Sequence, residues 1–352
     1  MQLKYHFASD NTAGIIPEAW DALAAANQGF AAAYGEDQWT AKASDLIREV
    51  FETDCDVYFV FTGTAANSVS LAGICRPQHK IICHRLSHIA TAECGGPAFF
   101  SGGTGMEVLD GAAGKIQPDD IERVLQQPFD FHYQIHRAVS ITQSTEMGTV
   151  YTVDEIKAIG KVAGDNNLHF HIDGARFANA VAALGVTPKQ VTWQAGVKVL
   201  SFGATKLALP VGEAIVFFDK SLASEFGHRC KQAGHVASKM RFLTAPWVGL
   251  LENDAWLKHA RHANQCAAVL AAGLEQFAEA ELLAPVDSNA VFVSLPEAVH
   301  RSMREKGWIY HIVIGDRGAR LMCSWNTTEE HIEQFIADLE SAFSNHAPSG
   351  TL

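Results

Sequence analysis

The sequence has little positive charge for its length. Its 352 residues carry 27 Lys and Arg against 39 Asp and Glu, a formal net charge of −12, and basic residues form no dense run anywhere in the chain. A chain without a cationic field does not gather a phosphate backbone around itself. We therefore expect no nucleic acid partner.

Long apolar runs are missing as well. The opening MQLKYHFASDN lacks the apolar stretch of a signal peptide, and no segment approaches the roughly 20 uninterrupted apolar residues that a membrane span needs. The seven cysteines are odd in number and scattered, most of them in apolar segments such as KIICH and LMCSW, which is typical of buried, reduced thiols. The expectation is a cytoplasmic protein with no membrane partner.

What the chain does have is apolar material in strand-sized pieces. Apolar residues make up 48% of the sequence, enough to bury a large core. From about residue 57 to 218, short β-branched or aromatic runs alternate with helical patterns, which predicts an α/β fold with a mostly parallel seven-stranded sheet. The predicted strands are residues 57–61, 80–84, 106–110, 137–142, 168–173, 197–202 and 213–218.

The pattern changes after residue 218. Long helical stretches reach to about residue 281, and short strands and a final helix follow. This order predicts a smaller α+β unit. We predict a large domain over residues 1–245 and a small C-terminal domain over 246–352, with roughly the first 15 residues contacting the small one.

The first motif with chemical content is VYFVFTGTAANSVSLAG. An apolar strand runs into Thr62-Gly63-Thr64, and a helix begins near Ala65. Free N–H groups and the helix dipole at such a turn favour a phosphate, although an ordinary helix cap explains the motif as well. The motif fits neither GxGxxG nor GxxxxGK[ST], so the common nucleotide fingerprints are not supported.

The second motif is LHFHIDGAR, in which a strand delivers Asp173 at its carboxyl end. Open α/β sheets bind ligands at that edge. Arg176 follows three residues later, and its guanidinium suits either a ligand carboxylate or a simple ion pair with Asp173. The motif alone leaves both interpretations open.

The third motif is VKVLSFGATKLALPVGEAIVFF, which places Lys206 among small and apolar residues between two strands. Desolvation there would make its amine a better nucleophile, although a lysine that snorkels from a strand end is the plain alternative. Together the three motifs offer a phosphate cup, a carboxylate for a pyridine nitrogen and an amine for an aldehyde. Pyridoxal phosphate needs all three.

With these residues in view, the sequence resembles a known family over almost its whole length. It is similar to the threonine aldolases among the fold type I pyridoxal phosphate enzymes, in the low-specificity L-threonine and phenylserine aldolase branch. The matching segments, in order, are SDNTAG, AYGEDQW, TGTAAN, SHIATAECGGP, HIDGARF, SFGATK, SKMRF and RLMCSWNTTEE. Their ordered combination is far more specific than any one of them.

The resemblance implies roles for the residues already singled out. Gly63 and Thr64 would bind the cofactor phosphate, Asp173 the pyridine nitrogen, and Lys206 the cofactor aldehyde. It also implies that the fold is that of a fold type I pyridoxal-phosphate-dependent transferase. No metal is expected.

The resemblance adds residues that composition and spacing do not identify. His88 falls where the family stacks an imidazole on the cofactor ring, and Glu93 falls where a catalytic carboxylate stands close to it. Ser9, Arg176 and Arg320 match the positions that hold the substrate carboxylate, and Arg176 is also counted among the cofactor-binding residues.

The resemblance further implies an oligomer. Family members are usually tetramers, built as dimers of dimers, with active sites at a dimer interface. Lys231 or Arg241 would reach the cofactor phosphate of the neighbouring subunit.

Two segments depart from the family pattern. Residues 143–148 read Gln-Ser-Thr-Glu-Met-Gly where many members carry a His that contacts the substrate hydroxyl, and residues 207–210 read Leu-Ala-Leu-Pro where Asn-Gly is usual. The first departure leaves selectivity between threo and erythro substrates unpredicted, and the second leaves the substrate range near that loop unpredicted.

Three other polar or glycine-rich features have simpler interpretations. His84 ends a predicted strand, so it cannot share a helix face with His88 as a zinc pair would require. His169 and His171 lie on one face of a strand, where packing accounts for at least one of them. The glycine-rich segment 102–105 precedes a strand and is predicted to be a turn.

The expected reaction is cleavage of the Cα–Cβ bond of a β-hydroxy-α-amino acid, such as L-threonine, L-allo-threonine or phenylserine, to glycine and an aldehyde. The proton of the β-hydroxyl would pass to His88 or to a water held by Glu93. A β-eliminating lyase or an aminotransferase would use the same Lys206 and Asp173. A fold relative without catalytic activity is the remaining alternative.

Overall fold

A computed structural model describes residues 3–127 and 130–346 of the chain. Its larger sheet has seven strands: β1 (Asp56–Val60), β2 (His79–His84), β3 (Gly105–Leu109), β4 (Ile135–Thr142), β5 (His169–Gly174), β6 (Val199–Phe202) and β7 (Glu213–Phe217). They lie in the order β1-β7-β6-β5-β4-β2-β3. β7 is antiparallel to both of its neighbours, and the remaining pairs are parallel. The predicted mostly parallel seven-stranded sheet is confirmed.

This topology creates one chemically rich edge. The parallel strands end together at their carboxyl termini, and β7, which runs the other way, begins there with Glu213. Thr142, Asp173 and Ser201, near the ends of three adjacent strands, are therefore neighbours across the sheet. Residues that follow these strands converge on a common space, as expected for an open α/β sheet.

Helices cover the sheet and fill the N-terminal region. In chain order they are α1 (Pro17–Ala26), α2 (Gln38–Phe51), α3 (Gly63–Ile74), α4 (His88–Thr91), α5 (Gly96–Ser101), α6 (Pro118–Leu125), α7 (Val153–Asp165), α8 (Phe177–Leu184), α9 (Phe226–Gln232), α10 (Arg241–Leu251) and α11 (Ala255–Leu274). Across residues 3–127 and 130–346, no helix combines the length and the apolar character that crossing a membrane requires.

Local chemistry sets several helix boundaries. Thr152 and Glu155 form a reciprocal capping box that starts α7. α2 begins at Gln38, inside the polar segment 35–38. The reason is that the Asp37 carboxylate accepts the N–H groups of Trp39 (3.0 Å) and Thr40 (2.9 Å), which starts the helix within the polar segment.

The C-terminal part of the chain forms a second, antiparallel sheet. Its strands are β8 (Glu281–Leu282), β9 (Ala290–Ser294), β10 (His311–Ile314) and β11 (Gly318–Met322), in the order β10-β11-β9-β8, and α12 (Glu297–Glu305) and α13 (Glu329–His346) accompany it. The N-terminal segment contacts this unit. The Phe7 side chain lies in its hydrophobic core, and Lys4 pairs with Asp338 at 3.1 Å.

The division between the two predicted domains stays a prediction. The position proposed for it, between residues 245 and 246, lies inside α10. That helix packs against α1 and α2, and its buried residues Trp247 and Leu250 belong to the core of the larger unit.

Candidate active site

A cavity of about 430 Å³ opens at the carboxyl edge of the large sheet. Its volume lies in the range of small-molecule sites. It brings residues of all three chemical motifs together, although they are far apart in the sequence. The lining residues include Asn11, Thr62, Gly63, Thr64, Asn67, His88, Thr142, Glu146, Asp173, Arg176, Lys206 and Glu213.

The first wall of the cavity is the N-terminus of α3. The Thr62 side chain caps the helix by accepting the Ala65 N–H at 3.1 Å. A Cβ on Gly63 would meet no atom within 4 Å, so there is open space in front of this residue. Gly63 and Thr64 thus present the first backbone N–H groups of a helix to a ligand-sized space, which suits a phosphate.

Lys206 lies in a short 3₁₀ turn, Thr205–Leu207, after β6. Burial lowers the pKa of its amine, and the nearby Arg176 guanidinium lowers it further. Glu213 at the start of β7 holds the preceding backbone, because its Oε2 accepts the N–H groups of Ala204 (2.5 Å) and Thr205 (3.3 Å). The fold therefore fixes the loop and favours the neutral, nucleophilic form of the lysine.

Asp173 stands on β5 with only 4% of its surface exposed. Its Oδ1 accepts the Ala175 N–H at 3.0 Å, and its Oδ2 accepts Nδ2 of Asn67 at 2.8 Å. These contacts hold the carboxylate in a fixed orientation at the cavity. A cationic ring nitrogen would be a suitable partner for it.

His88 and Glu93 form a pair beside Asp173. Nδ1 of His88 lies 2.9 Å from Oε1 of Glu93, and this hydrogen bond raises the pKa of the imidazole. The Glu93 side chain has no exposed surface, and Asn67 and Ser68 bond to it as well. Glu93 is enclosed in this way and is not part of the cavity lining; the prediction that it holds a substrate-facing water stays a prediction. Its carboxylate contacts His88, whose side chain lines the cavity.

Arg176 takes a partner that the sequence analysis did not name. Its Nε donates to Oδ2 of Asp10 at 2.7 Å and its Nη2 donates to Oδ1 at 3.0 Å. Asp10 is almost fully buried. The predicted alternative, an ion pair between Arg176 and Asp173, is therefore wrong as to the partner. Two of the five guanidinium N–H groups bond to Asp10, and three remain for a ligand.

The other two predicted substrate-binding residues, Ser9 and Arg320, lie near the Asp10–Arg176 pair. Ser9 caps the turn that carries Asp10 by accepting the Asn11 N–H at 3.2 Å. Arg320 on β11 is close enough for Arg176 and Asp10 to perturb its pKa, which burial lowers. Its Nε is buried with no hydrogen-bond partner among the described residues. Neither Ser9 nor Arg320 belongs to the cavity lining.

Arg241 and Lys231 are not brought into the cavity. The Arg241 guanidinium lies 3.4 Å from the Gly29 carbonyl oxygen, and the Lys231 amine lies over the Tyr34 ring, 4.9 Å from its centroid. Neither side chain lines the cavity, so this arrangement does not place them at a cofactor phosphate bound by the same chain. The predicted role in a neighbouring subunit stays a prediction.

Two other histidines of the sheet, His171 and His84, have structural partners. His171 is buried among serine hydroxyls, 2.9 Å from Ser140 and 3.1 Å from Ser201, and burial lowers its pKa to about 4. His84 lies 3.1 Å from the Gly111 carbonyl oxygen. In the described part of the chain, no group of three or more His, Cys, Asp or Glu side chains is placed to hold a metal ion.

Three residues that the sequence analysis did not single out complete the cavity. Asn67 donates to both Asp173 and Glu93 and so connects the first motif with the second. Its position one helical turn after Gly63 was the available signal. Glu213 had no such signal. Glu146 lay inside the segment noted for its departure from the family pattern, but spacing alone gave it no role.

These side chains fit pyridoxal phosphate. A helix N-terminus with open space suits its phosphate, the oriented Asp173 carboxylate suits its protonated ring nitrogen, and the desolvated Lys206 amine suits its aldehyde. The donor set therefore matches the cofactor group by group.

Comparison with known proteins supports the interpretation of this cavity as a pyridoxal phosphate site. Residues 6–298 match the beta-eliminating lyase family. The chain is 50% identical over 338 residues to a low specificity L-threonine aldolase from Pseudomonas sp. (strain NCIMB 10558). The alignment covers 96% of this chain and 98% of the relative. The chain is also 50% identical over 333 residues to one from Pseudomonas aeruginosa, covering 95% and 96%.

A solved structure, that of a Leishmania major threonine aldolase, has a TM-score of 0.90 and 29% identity, covering 96% of this chain and 99% of the other. The chain therefore resembles threonine aldolases over almost its whole length in sequence and in fold, and its cavity fits pyridoxal phosphate. The chain belongs to the threonine aldolases of the beta-eliminating lyase family, which are pyridoxal-phosphate-dependent lyases.

Proposed function

We propose that this enzyme cleaves the Cα–Cβ bond of β-hydroxy-α-amino acids and releases glycine and an aldehyde, with L-threonine, L-allo-threonine and phenylserine as substrates. The observation that carries the proposal is the convergence of Lys206, Asp173 and the start of α3 on one cavity. The names of the relatives support the class of substrate.

We assign separate roles to the residues that bind the cofactor and to those that bind the substrate. Lys206 supplies the amine that holds the cofactor aldehyde, and Asp173 keeps the ring nitrogen protonated. Pyridoxal phosphate, when bound, supplies an electron sink for the pair left at Cα. Arg176, Ser9 and Arg320 together bind the substrate carboxylate in this proposal and so orient the Cα–Cβ bond; of the three, Arg176 lines the cavity.

His88 packs on the cofactor ring in this proposal. Its Nδ1 is fixed by Glu93, which leaves Nε2 free to contact the cofactor, the substrate or water. His88 is accordingly one candidate for the group that accepts the hydroxyl proton. Glu93 acts by orienting the imidazole.

Product analysis tests the proposal. The holoenzyme is incubated separately with L-threonine, L-allo-threonine and L-phenylserine, and glycine, aldehyde, ammonia and keto acid are quantified. We expect glycine and aldehyde in equal amounts. Ammonia with a keto acid would instead establish β-elimination, which the family description keeps as the second candidate. A keto acid formed only when a second amino-group acceptor is added would indicate an aminotransferase.

We also propose a homotetramer built as a dimer of dimers, with active sites at the dimer interface. Strongly exposed aromatic side chains support an interface on this chain. The Phe30 side chain is fully exposed and that of Phe99 is 80% exposed. Phe99 lies on α5, which packs against α3 and so adjoins the phosphate cup. Sedimentation of the holoenzyme measures the subunit count, and a monomer would contradict this proposal.

A subunit-mixing experiment tests whether Arg241 or Lys231 serves a neighbouring active site. Lys206→Ala and Arg241→Ala subunits are each assayed alone and then after being unfolded and refolded together. If Arg241 acts across the interface, mixed dimers contain one complete site and part of the activity returns. If mixing restores nothing, Arg241 does not act across the interface. Lys231→Ala is tested in the same way.

We further propose that the enzyme works in the cytoplasm. Six of its seven cysteines are buried, and all seven carry free thiols. Reduced cysteines are typical of the cytosol. Fractionation of the source cells, with detection of the chain in each fraction, tests this location.

A further inference from the structure

The Glu146 carboxyl group has one oxygen that is used and one that is not. Its Oε1 accepts the Thr142 hydroxyl at 2.7 Å and the His88 backbone N–H at 2.9 Å. Its Oε2 is buried and has no hydrogen-bond partner among the described residues. Burying a hydrogen-bond acceptor without a partner reduces the stability of the folded protein, so a group with this arrangement is a candidate for function.

The location of Glu146 indicates what the spare oxygen meets. The residue follows β4 at the carboxyl edge of the sheet and lines the same cavity as Lys206 and Asp173. Its bond to the His88 backbone N–H places it next to this residue, and both side chains line the cavity. A substrate held there would bring its β-substituent into the same confined space.

The surroundings of Glu146 favour a carboxyl group that can change its protonation state. Burial raises its pKa to about 7, and the negative charge of Asp173 adds to this effect, although the Thr142 hydroxyl opposes it. A pKa close to neutrality suits a group that must both accept and return a proton. The titratable or charged groups around it are Asp173, Arg176, His88, Cys83 and Tyr151.

We propose that Oε2 of Glu146 is the acceptor of the β-hydroxyl proton in the cleavage reaction, an inference that rests on the proposed function. The O–H bond breaks and its proton passes to Oε2, while the electron pair of that bond becomes the second bond of the aldehyde C=O. The electron pair of the Cα–Cβ bond stays at Cα, where pyridoxal phosphate held by Lys206 and Asp173 would supply the electron sink. Cα then takes up a proton, so that one proton moves in net terms from the β-oxygen to glycine.

A glutamine at this position separates proton transfer from anchoring. In Glu146→Gln the amide oxygen can still accept from Thr142 and from the His88 N–H, but the amide nitrogen that replaces Oε2 cannot take a proton. Glu146→Ala removes the anchor as well. Glu107→Gln, on β3 where the glutamate pairs with Lys80 at 2.9 Å, is a matched control outside the cavity.

The test compares two reactions of the holoenzyme. Cleavage of L-threonine needs an acceptor for the β-hydroxyl proton, whereas exchange of the glycine Cα proton in D₂O, followed by NMR, does not. In Glu146→Gln we expect cleavage to fall at least about 100-fold, the size of a lost general base. Glycine exchange and the visible spectral change on glycine binding should stay close to those of the wild type.

The pH dependence provides a second readout. In the wild type, kcat/KM for L-threonine should rise as pH increases through the pKa of Glu146, since the carboxylate is the active form, and this step should be absent in Glu146→Gln. Cleavage that persists in Glu146→Gln overturns the proposal, and so does a parallel loss of cleavage and glycine exchange. A wild type that exchanges glycine protons but cleaves no β-hydroxy amino acid overturns the proposed function itself.

Discussion

Nδ1 of His88 lies 2.9 Å from Oε1 of Glu93, a carboxylate whose side chain is completely buried. The pair fixes the orientation of an imidazole that is itself partly open to the cavity. Because the carboxylate stabilises the imidazolium form, the pKa of His88 lies above its ordinary value of 6.5.

Replacing Glu93 by Gln should lower the pKa of His88. Histidine NMR titration, with the resonance assigned through His88→Asn, measures it directly. The sign for stability follows from the raised pKa: the pair stabilises the fold fully below pH 6.5, and this contribution is lost as pH rises through the folded-state pKa. An unchanged His88 pKa in Glu93→Gln would show that the hydrogen bond does not control the imidazole.

Asn67 should strengthen cofactor binding. Its Nδ2 is 2.8 Å from both Oδ2 of Asp173 and Oε1 of Glu93, so it separates two carboxylates that would otherwise repel each other. Asn67→Asp replaces the shared donor with a third carboxylate. We expect cofactor affinity to fall by about tenfold or more, the cost of a lost hydrogen bond to a buried charged group.

The measurement for Asn67→Asp is the visible absorbance that survives gel filtration, converted to an affinity by titration with pyridoxal phosphate. Asn166→Asp, at the exposed end of α7, introduces the same change away from the cavity. Wild-type affinity in Asn67→Asp would mean that the bridging amide does not matter for the ring-nitrogen site.

Breaking the pair between Asp10 and Arg176 should destabilise the fold. Asp10→Ala leaves a guanidinium, 15% exposed at its side chain, without its partner, which costs about 3 kcal/mol in the free energy of unfolding. Asp45→Ala breaks an exposed pair with Arg48 and should cost less than about 1 kcal/mol. Urea unfolding of both variants measures the difference, and equal losses would contradict this account.

The same pair gives a pH dependence with a defined direction. Burial works against the Asp10 carboxylate, but Arg176 and the hydrogen bonds prevail and hold its pKa below the ordinary value of 3.8. The stabilisation is therefore present above that value and is lost as pH falls through the folded-state pKa. Wild-type stability should decrease on acidification more steeply than that of Asp10→Asn.

The sequence was informative wherever local pattern decides structure. All seven strands of the large sheet lie within two residues of their predicted ends, because most of them contain short runs of buried apolar residues such as Ile81–Ile82 and Ile215–Val216. The antiparallel direction of β7 was not predicted, since strand direction depends on how the chain returns to the sheet.

In the candidate site, too, the sequence identified the residues that belong to local motifs but not their tertiary partners. Lys206, Asp173 and Gly63 stood out because each breaks a local expectation within its own motif. The partners that orient them are matters of tertiary structure: Asp10 is 166 residues from Arg176, and Asn67 is 106 residues from Asp173. No local periodicity records such pairs, so the resemblance to a family could indicate where the site lies but not which contacts hold it.

Chemical trapping of the cofactor tests the central claim, that Lys206 holds pyridoxal phosphate in this cavity. Borohydride reduction of the holoenzyme makes the bond between the lysine amine and the cofactor permanent, and peptide mass mapping then locates it. We expect the pyridoxyl group on the peptide containing Lys206, with no label in Lys206→Ala. A label on another lysine, or none in the wild type, would contradict it.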